Sequence, residues 1–437
     1  MTDLARPLTA GWTCVVCDAH VDISAPLSWR CPNATDTDRH HALRLVQSMA
    51  PLRSSGEENP FLAFRRYLAW DDFAAANGMT DEARGALVTS LDARIAKVAG
   101  TGFVTTPFGR ADTLSDALGF GIDGGIWVKD ETSQVGGSHK ARHLFTILLH
   151  LIAAEELDLV PWHGERARPP LAIASCGNAA LAAATLAAAV QWPIEVFVPA
   201  TANPAVVAEL ERLRATIIVC PRRHGDPPGD PCVHRFREAV AAGAVPFSVQ
   251  GPENAWCLDG GRTIGWEMAR HMEEGVEGPP FDRLFVQVGG GAFAACVATG
   301  FRMSGITPRL HAVQTEQCAP LRRAWDLSVD IGGPKQVASH WAELMWPWED
   351  VGTSAADGIL DDETYDWIPV LAAMADGNGA PVVASEVNVR EAHRLACDLT
   401  DVDVSATGSA GLAGLLAIRD QIADDERVAL VFSGVLR

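Results

Sequence analysis

A lysine on a glycine-rich turn is the residue of this chain best suited to covalent chemistry. Lys140 lies in the run GGSHKAR, residues 136–142. An apolar segment typical of a strand precedes it at residues 125–131, and apolar residues at helical spacing follow from Leu144 to Ile152. The positive end of a helix dipole disfavours a cation, so an amine in the first turn is expected to have a lowered pKa. A neutral amine is what Schiff-base chemistry requires. Taken alone, the motif is better explained as a solvated lysine that follows a loop.

A second turn has the composition of an anion site. Ser175-Cys176-Gly177-Asn178 ends a predicted strand and begins an alanine-rich helix. Backbone N–H groups at such a terminus bind anions, and the side chains of Ser175 and Asn178 could orient a carboxylate or a phenolic oxygen. Ordinary helix capping is the alternative, because serine and asparagine are common caps.

A glycine triplet predicts a phosphate site. Gly289-Gly290-Gly291-Ala292 lies between an apolar strand and a helix predicted to end near Met303. Three consecutive glycines expose backbone N–H groups without side-chain obstruction, and the helix dipole favours a phosphate there. The spacing fits neither the dinucleotide-binding motif nor the P-loop.

The last strand ends in a serine. Ser433-Gly434 follows the apolar residues 428–432, and the run ATGSAG at residues 406–411 predicts a turn into a helix. A serine at the carboxyl end of a parallel strand points into the crevice where ligands bind.

The elements that must position these residues alternate between strands and helices. Helices are predicted at residues 83–98, 179–190, 204–215 and 233–242, and strands at 171–175, 194–199, 216–220, 245–250, 284–288, 310–315 and 428–432. This alternation predicts an α/β fold with parallel-rich open sheets flanked by helices. We expect a zinc-ribbon-like segment at residues 1–45, a large domain at 46–170 and 281–437, and a small domain at 171–280.

Three early cysteines form part of a zinc pattern. Cys14 and Cys17 are followed by Cys31, but the second Cys-x-x-Cys pair of a zinc ribbon lacks its last cysteine. The nearest substitutes are His20, His40 and His41. A structural zinc site and a relic that has lost its ligands are both consistent with this spacing.

Composition excludes several classes of partner. The formal net charge is -20 and the pI about 5.0, which argues against binding to nucleic acid or to anionic membranes. Residues 1–7 lack the apolar core of a secretion signal, and the most apolar run, residues 144–160, is broken by charged residues. The 10 cysteines are scattered, as in a reducing compartment. We expect a cytoplasmic protein that acts on small molecules.

The segments occur in the order found in fold-type II pyridoxal-phosphate enzymes. The chain resembles the threonine synthase and serine/threonine dehydratase branch, with likeness to the tryptophan synthase β family. The resemblance begins near Thr106, excludes the irregular residues 332–379, and is carried by residues 106–108, 129–131, 137–142, 175–178, 289–292, 408–414 and 433–434. It implies two domains, pyridoxal 5'-phosphate as cofactor, and a homodimer.

The resemblance also implies a role for each matched residue. Lys140 would hold the cofactor as a Schiff base and then remove the α-proton of the substrate. The cofactor phosphate would lie on Gly289, Gly290, Gly291 and Ala292, its ring hydroxyl against Asn178, and the substrate carboxylate against Ser175, Cys176 and Gly177. Ser433 would face the pyridine nitrogen, where a neutral hydroxyl favours elimination over transamination.

Three features depart from the family pattern. His139 stands where relatives usually have phenylalanine, and it either adds a titratable group or packs against the ring; packing is favoured. Cys176 stands where serine or threonine is common, which implies either different proton transfer or none at this position. Only three residues follow Gly434, so we expect no C-terminal regulatory domain.

Three functional hypotheses follow. The leading one is a pyridoxal-phosphate-dependent lyase that performs β-elimination on a small hydroxy or β-substituted amino acid and releases ammonia. The second is a threonine-synthase-like or β-replacement synthase, supported by the partial zinc pattern. The third is a non-catalytic relative that binds the cofactor or zinc.

Overall fold

The computed structural model describes residues 8–273 and 281–436. Residues 1–7, where we expect no secretion signal, and residue 280, the predicted end of the small domain, lie outside the described residues. The strands are β1 (Thr9–Cys14), β2 (His20–Asp22), β3 (Leu43–Gln47), β4 (Phe108–Arg110), β5 (Gly125–Asp130), β6 (Leu171–Ala174), β7 (Ile194–Val198), β8 (Thr216–Val219), β9 (Val245–Pro246), β10 (Arg283–Gln287), β11 (Arg309–Thr315), β12 (Val382–Ala384) and β13 (Arg427–Phe432).

Sixteen α-helices alternate with these strands in the described residues. They are α1 (Pro60–Ala63), α2 (Ala69–Ala76), α3 (Asp81–Ala99), α4 (Asp112–Ala117), α5 (Lys140–Glu156), α6 (Asn178–Ala189), α7 (Pro204–Arg212), α8 (Pro231–Ala241), α9 (Cys257–Gly260), α10 (Arg262–Glu273), α11 (Ala292–Met303), α12 (Pro320–Ser328), α13 (Trp341–Leu344), α14 (Trp367–Asp376), α15 (Glu386–Leu399) and α16 (Ala410–Ala417). In the part of the chain described here, none of them is long and apolar enough to cross a bilayer.

The described residues divide into two compact units. The first comprises residues 8–105 and 140–263, and the second comprises residues 106–139, 264–273 and 281–436. This division rests on contacts between residues of the chain. The domain boundaries predicted from the sequence, at residues 45, 170 and 280, stay a prediction.

The first unit contains two sheets and a buried helical layer. Strands β8-β7-β6-β9 are parallel, whereas the N-terminal sheet β2-β1-β3 is antiparallel, with Trp12 opposite both Val21 and Leu45. Helices α5 and α6 pack against each other; α6 is mostly alanine, which permits close approach of the two backbones. Trp12 also packs edge-on against Trp256, which attaches the N-terminal sheet to the helices of this unit.

The second unit is built on one six-stranded sheet. Its order is β12-β11-β10-β13-β5-β4, and every pair is parallel except β4 with β5 at the edge. The carboxyl ends of parallel strands meet at one edge of a sheet. The segments that follow β5, β10 and β13 therefore begin at the same edge.

The predicted α/β class with parallel sheets flanked by helices is confirmed. One predicted strand, residues 245–250, is much shorter than expected, because β9 contains only Val245–Pro246. Pro246 has no N–H to donate to a ladder, and a turn follows in which the Glu253 N–H donates to the Gln250 carbonyl. The irregular residues 332–379 contain the buried helix α14, which the composition did not predict.

Candidate active site

The glycine triplet forms the turn between β10 and α11. Gly291 is the N-cap of α11 and has a left-handed φ of 97°, a conformation that glycine adopts readily. A side chain on Gly289 would meet the Asp361 carboxylate and, at 3.1 Å from its Cβ, the Ile359 Cα. Backbone conformation thus favours glycine at position 291, and lack of space favours it at position 289.

The triplet also exposes backbone donors. Within residues 8–273 and 281–436, the N–H groups of Gly290, Gly291 and Ala292 donate to no protein acceptor. They lie at the positive end of a 12-residue helix. Unpaired N–H groups at a helix N-terminus bind phosphate, so these residues fit the phosphate group of the expected cofactor.

Ser433 follows the last residue of β13 and is 3% exposed. Its backbone N–H donates to the Gly408 carbonyl at 3.2 Å, and the Ser405 N–H donates to the Gly434 carbonyl at 2.8 Å. The Gln287 amide donates to the Gly408 and Val431 carbonyls at 2.9 and 3.2 Å. These bonds fix the serine backbone to the turn before α16 and to the end of β10.

His139 contacts Ser433 and the helix that follows the glycine triplet. Its ring stacks on Phe293 of α11, with centroids 3.8 Å apart and planes 13° apart. Its Nδ1 lies 2.5 Å from the Ser433 Oγ, and its backbone N–H donates to the same oxygen at 3.0 Å. The packing favoured from the sequence is present, and a hydrogen bond to the candidate cofactor-binding serine accompanies it.

Lys140 is the first residue of α5, as the glycine-rich turn predicts, and is half-buried in the first unit. Two residues later, Arg142 is fully buried and donates to the Thr263 Oγ1 at 2.9 Å. One turn along the helix, burial lowers the pKa of His143 to about 3, with a smaller contribution from the Lys140 charge. His143 therefore stays neutral at physiological pH beside the lysine.

The turn from residues 175 to 178 lies between β6 and α6, also in the first unit. Gly177 is the N-cap of α6, and its N–H lies 3.4 Å from the Ser175 Oγ. Cys176 is exposed, and no atom lies within 4 Å of the position that a Cβ on Gly177 would take. Open space in front of a helix N-terminus suits a small carboxylate.

The structure thus groups the expected site residues by unit. Gly289, Gly290, Gly291, Ala292 and Ser433 belong to the second unit, where His139 contacts Ser433 and also Phe293, the residue after Ala292. The remaining candidates belong to the first unit: Lys140, Ser175, Cys176, Gly177 and Asn178. Lys140 directly follows His139 in the chain.

Comparison with known proteins decides the family. The family model described as pyridoxal-phosphate dependent enzyme matches residues 101–434. The chain belongs to this family. Among curated proteins, the L-serine dehydratase of Saccharomyces cerevisiae strain AWRI1631 is 28% identical over 208 residues, which is 46% of this chain and 58% of that protein. The match thus spans little more than half of the relative's length.

Solved structures of this family share the fold. A threonine deaminase of the organism abbreviated T.th. is 21% identical with a TM-score of 0.59, covering 80% of this chain and 98% of that one. The L-serine ammonia-lyase of Rhizomucor miehei is 18% identical with a TM-score of 0.57, and the match covers 76% of this chain and 94% of that one. Maize serine racemase is 16% identical with a TM-score of 0.57, and the match covers 80% of this chain and 92% of that one. The α/β architecture of this pyridoxal-phosphate dependent enzyme is therefore that of fold type II.

A candidate metal site lies outside the residues that the family model matches. Cys14, Cys17, Cys31 and His41 offer ligand atoms that all lie within 4.8 Å of one another. The Cys17 and Cys31 sulfurs are 3.5 Å apart, and the Cys14 sulfur is 3.4 Å from the His41 Nδ1. Of the three histidines considered from the sequence, His41 completes a three-cysteine, one-histidine set, which is a common tetrahedral zinc arrangement.

The surroundings of the cluster act differently on two of its thiols: burial raises the pKa of Cys31 to about 12, whereas the groups around Cys17 favour its charged form. Burial raises the pKa of the Cys17 thiol, but hydrogen bonds from the Ala19 N–H and the Asn33 amide outweigh it and lower the pKa to about 6. The His41 Nε2 lies 3.4 Å from an Asp38 carboxylate oxygen. A carboxylate behind a histidine is the usual partner of a metal-binding imidazole because it orients the ring. The cluster could hold a zinc ion.

Two features near the candidate active site escaped sequence reasoning. The Asp366 N–H donates to the Gly290 carbonyl at 2.8 Å, so the segment after residue 359 covers the glycine triplet. Lys129 forms a buried ion pair with Glu267, and its ammonium also donates to the Thr106 carbonyl at 2.7 Å. The family resemblance pointed to Thr106 and Lys129, but no local pattern connects either of them with Glu267.

Proposed function

We propose that this chain is a lyase that removes the β-substituent of a small hydroxy or β-substituted amino acid and yields a keto acid and ammonia. The observation that carries the proposal is the neutral Ser433 hydroxyl, which contacts the His139 ring that stacks on Phe293 of α11. A carboxylate in that position would hold the pyridine nitrogen protonated and favour transamination, whereas a hydroxyl does not. The partial match to an L-serine dehydratase supports the same reaction class.

Each candidate residue has a task that its surroundings permit. Bound pyridoxal phosphate supplies an aldehyde for amines and a ring that accepts electron density from the substrate α-carbon. The N–H groups of the glycine triplet bind the phosphate. Asn178, the first residue of α6, donates to the ring hydroxyl, and the turn from Ser175 to Gly177 binds the substrate carboxylate.

Lys140 would be the covalent anchor until the substrate amine takes its place, and its freed amine would then be the base. Its neutral amine takes the α-proton, and the electron pair of that C–H bond forms a double bond between Cα and Cβ. The β-oxygen leaves with the electrons of its C–O bond and receives the proton that Lys140 removed, which gives water. The Lys140 amine would then retake its place and release the enamine, which becomes an imine whose hydrolysis yields the keto acid and ammonia.

A second candidate function is a threonine-synthase-like or β-replacement synthase. The cluster of Cys14, Cys17, Cys31 and His41 supports it, because the partial zinc pattern is a sequence feature that favours the synthase hypothesis. Both reactions begin with removal of the α-proton. They differ in whether the substrate carbon skeleton is released as a keto acid or retained as an amino acid.

The test is a substrate screen on the purified holoenzyme. Serine, threonine, their phosphorylated forms and hydroxyaspartate are incubated separately, and keto acid, ammonia and residual amino acid are measured. The proposal predicts equal amounts of keto acid and ammonia from at least one substrate. Substrate consumption without keto acid supports a synthase, and inversion at the α-carbon supports a racemase. A protein that stays colourless with pyridoxal phosphate contradicts all three enzymes and supports the non-catalytic alternative.

We propose a structural zinc ion at the N-terminal cluster. Elemental analysis of the purified protein is expected to give one zinc per chain, and Cys14→Ser and His41→Ala are expected to lose it. Cys397→Ser is the matched control, because Cys397 is exposed and remote from the cluster in sequence. Zinc that persists in both ligand variants would contradict the proposed ligand set.

We also propose a cytoplasmic homodimer. All ten cysteines lie within the described residues and none of them forms a disulfide, which suits a reducing compartment. Family membership supports the dimer, and sedimentation of the purified protein tests it.

A further inference from the structure

His139 makes two contacts, and only one of them needs a histidine. The stack on Phe293 depends on a flat ring, which the phenylalanine usual at this position in relatives would also provide. The 2.5 Å contact between Nδ1 and the Ser433 Oγ requires a ring nitrogen. The departure from the family pattern therefore adds a hydrogen bond to the serine while keeping the packing.

The hydrogen-bonding capacity of Ser433 limits what this contact can do. A serine hydroxyl has one proton and accepts two hydrogen bonds. The backbone N–H of His139 donates to Oγ at 3.0 Å and takes one acceptor position. One proton and one acceptor position remain for the imidazole and for any group that faces the hydroxyl from the other side.

The backbone holds this arrangement in place from both directions. The Val435 N–H donates to the Gly137 carbonyl at 3.0 Å, two residues beyond Ser433 and two residues before His139. The Ser433 N–H is bound to the Gly408 carbonyl. Ser433 is 3% exposed and His139 is 7% exposed, so water does not readily replace either partner. The imidazole and the hydroxyl are thus positioned relative to each other before any ligand binds.

We propose that His139 is a positioning residue that sets the direction of the Ser433 hydroxyl proton, and through it the protonation of the cofactor's ring nitrogen. When Nδ1 carries a proton, it donates to Oγ, and the hydroxyl donates to an unprotonated ring nitrogen. When Nδ1 is bare, it accepts a hydrogen bond from the hydroxyl, and Oγ accepts one from a protonated ring nitrogen. A phenylalanine leaves the hydroxyl free to rotate between these two states.

This inference rests on the proposed function, because it assigns Ser433 to the ring nitrogen. Its consequence is that the electron-withdrawing strength of the ring is coupled to the tautomer of one imidazole. A residue that acts only by packing would not produce this coupling.

The test uses cofactor labelled with ¹⁵N in its ring. The ¹⁵N chemical shift of the bound ring nitrogen, which reports its protonation, is measured in the wild type and in His139→Phe and His139→Asn. His139→Phe retains the stack and is expected to change the shift. His139→Asn retains a side-chain partner for Ser433 and is expected to stay closer to the wild type. An unchanged shift in His139→Phe overturns the inference.

A second measurement does not depend on the folding of any His139 variant. In protein labelled with ¹⁵N at the histidine rings, one of the 13 histidines is expected to change its ring signals when the wild type is loaded with cofactor, but not when Ser433→Ala is loaded. The same response in both proteins overturns the inference. Failure of the wild type to bind the cofactor instead overturns the proposed function, so the two failures are distinguishable.

Discussion

Two glycines at opposite ends of α11 provide a matched test of the phosphate site. Gly291 at the N-cap has a φ of 97°, and Gly305 just beyond the other end has a φ of 76°. A Cβ on Gly291 would lie 3.0 Å from the Thr364 Cγ2 and 3.2 Å from the Asp366 carbonyl carbon. A Cβ on Gly305 would meet no atom within 4 Å.

The expected magnitudes differ for a physical reason. Each alanine occupies a left-handed conformation, which costs about 1–2 kcal/mol of folding free energy in both variants. Gly291→Ala also crowds Thr364 and Asp366, which costs about 1–3 kcal/mol more. Relief of that crowding moves the backbone donors of the triplet. Loss of one hydrogen bond to a charged phosphate costs about 1.5–3 kcal/mol, or roughly a 10- to 100-fold increase in Kd.

The assay is an absorbance titration of the apoproteins with pyridoxal phosphate and, separately, with pyridoxal. Gly291→Ala is expected to bind pyridoxal phosphate roughly 10- to 100-fold more weakly than the wild type, with little change for pyridoxal. Gly305→Ala is expected to bind both as the wild type does. Equal weakening for the two ligands in Gly291→Ala would refute the assignment of the triplet to the phosphate.

Three further outcomes are expected. Asp361→Asn, which removes a negative charge beside Gly289, is expected to tighten binding of pyridoxal phosphate but not of pyridoxal in the same titration; equal or weaker phosphate binding contradicts it. Lys129→Met removes the ammonium that pairs with the buried Glu267 carboxylate and is expected to cost about 3–5 kcal/mol of unfolding free energy in urea, whereas adding Glu267→Gln recovers part of the loss. If the losses of unfolding free energy from the Lys129 and Glu267 substitutions simply add, the predicted coupling between the two side chains is refuted. Burial lowers the pKa of His150 from 6.5 to about 3. The contribution of neutral His150 to folding stability is therefore fully present above pH 6.5 and is lost as the pH falls towards 3. His150→Phe is expected to reduce the loss of melting temperature between pH 6.5 and 5, and an unchanged slope contradicts the buried neutral state.

Local patterns were enough to predict the elements that carry the candidate site. The apolar spacing after Lys140 predicted a helix, and α5 begins at that lysine. The glycine triplet was expected between a strand and a helix, and it joins β10 to α11. Strand-helix alternation also predicted the parallel sheets, because each segment's periodicity reflects the faces that it buries.

Contacts between distant segments could not be predicted in the same way. Glu267 lies 138 residues from Lys129 in the chain, and a single glutamate on a helix carries no sign of its partner. Asp361 comes from a region without clear periodicity, yet its carboxylate lies beside Gly289. The sequence narrowed the fourth metal ligand only to one of three histidines. The turn that brings His41 to the cysteines depends on the pairing of β1 with β3.

The most direct test of the account is the site of cofactor attachment. The holoenzyme is reduced with borohydride, digested, and its peptides are sequenced by mass spectrometry, with Lys140→Ala treated in parallel. The account predicts one reduced pyridoxyl group on Lys140 in the wild type and none on any lysine of the variant. A pyridoxyl group on another lysine of the wild type, or its persistence in Lys140→Ala, would contradict it.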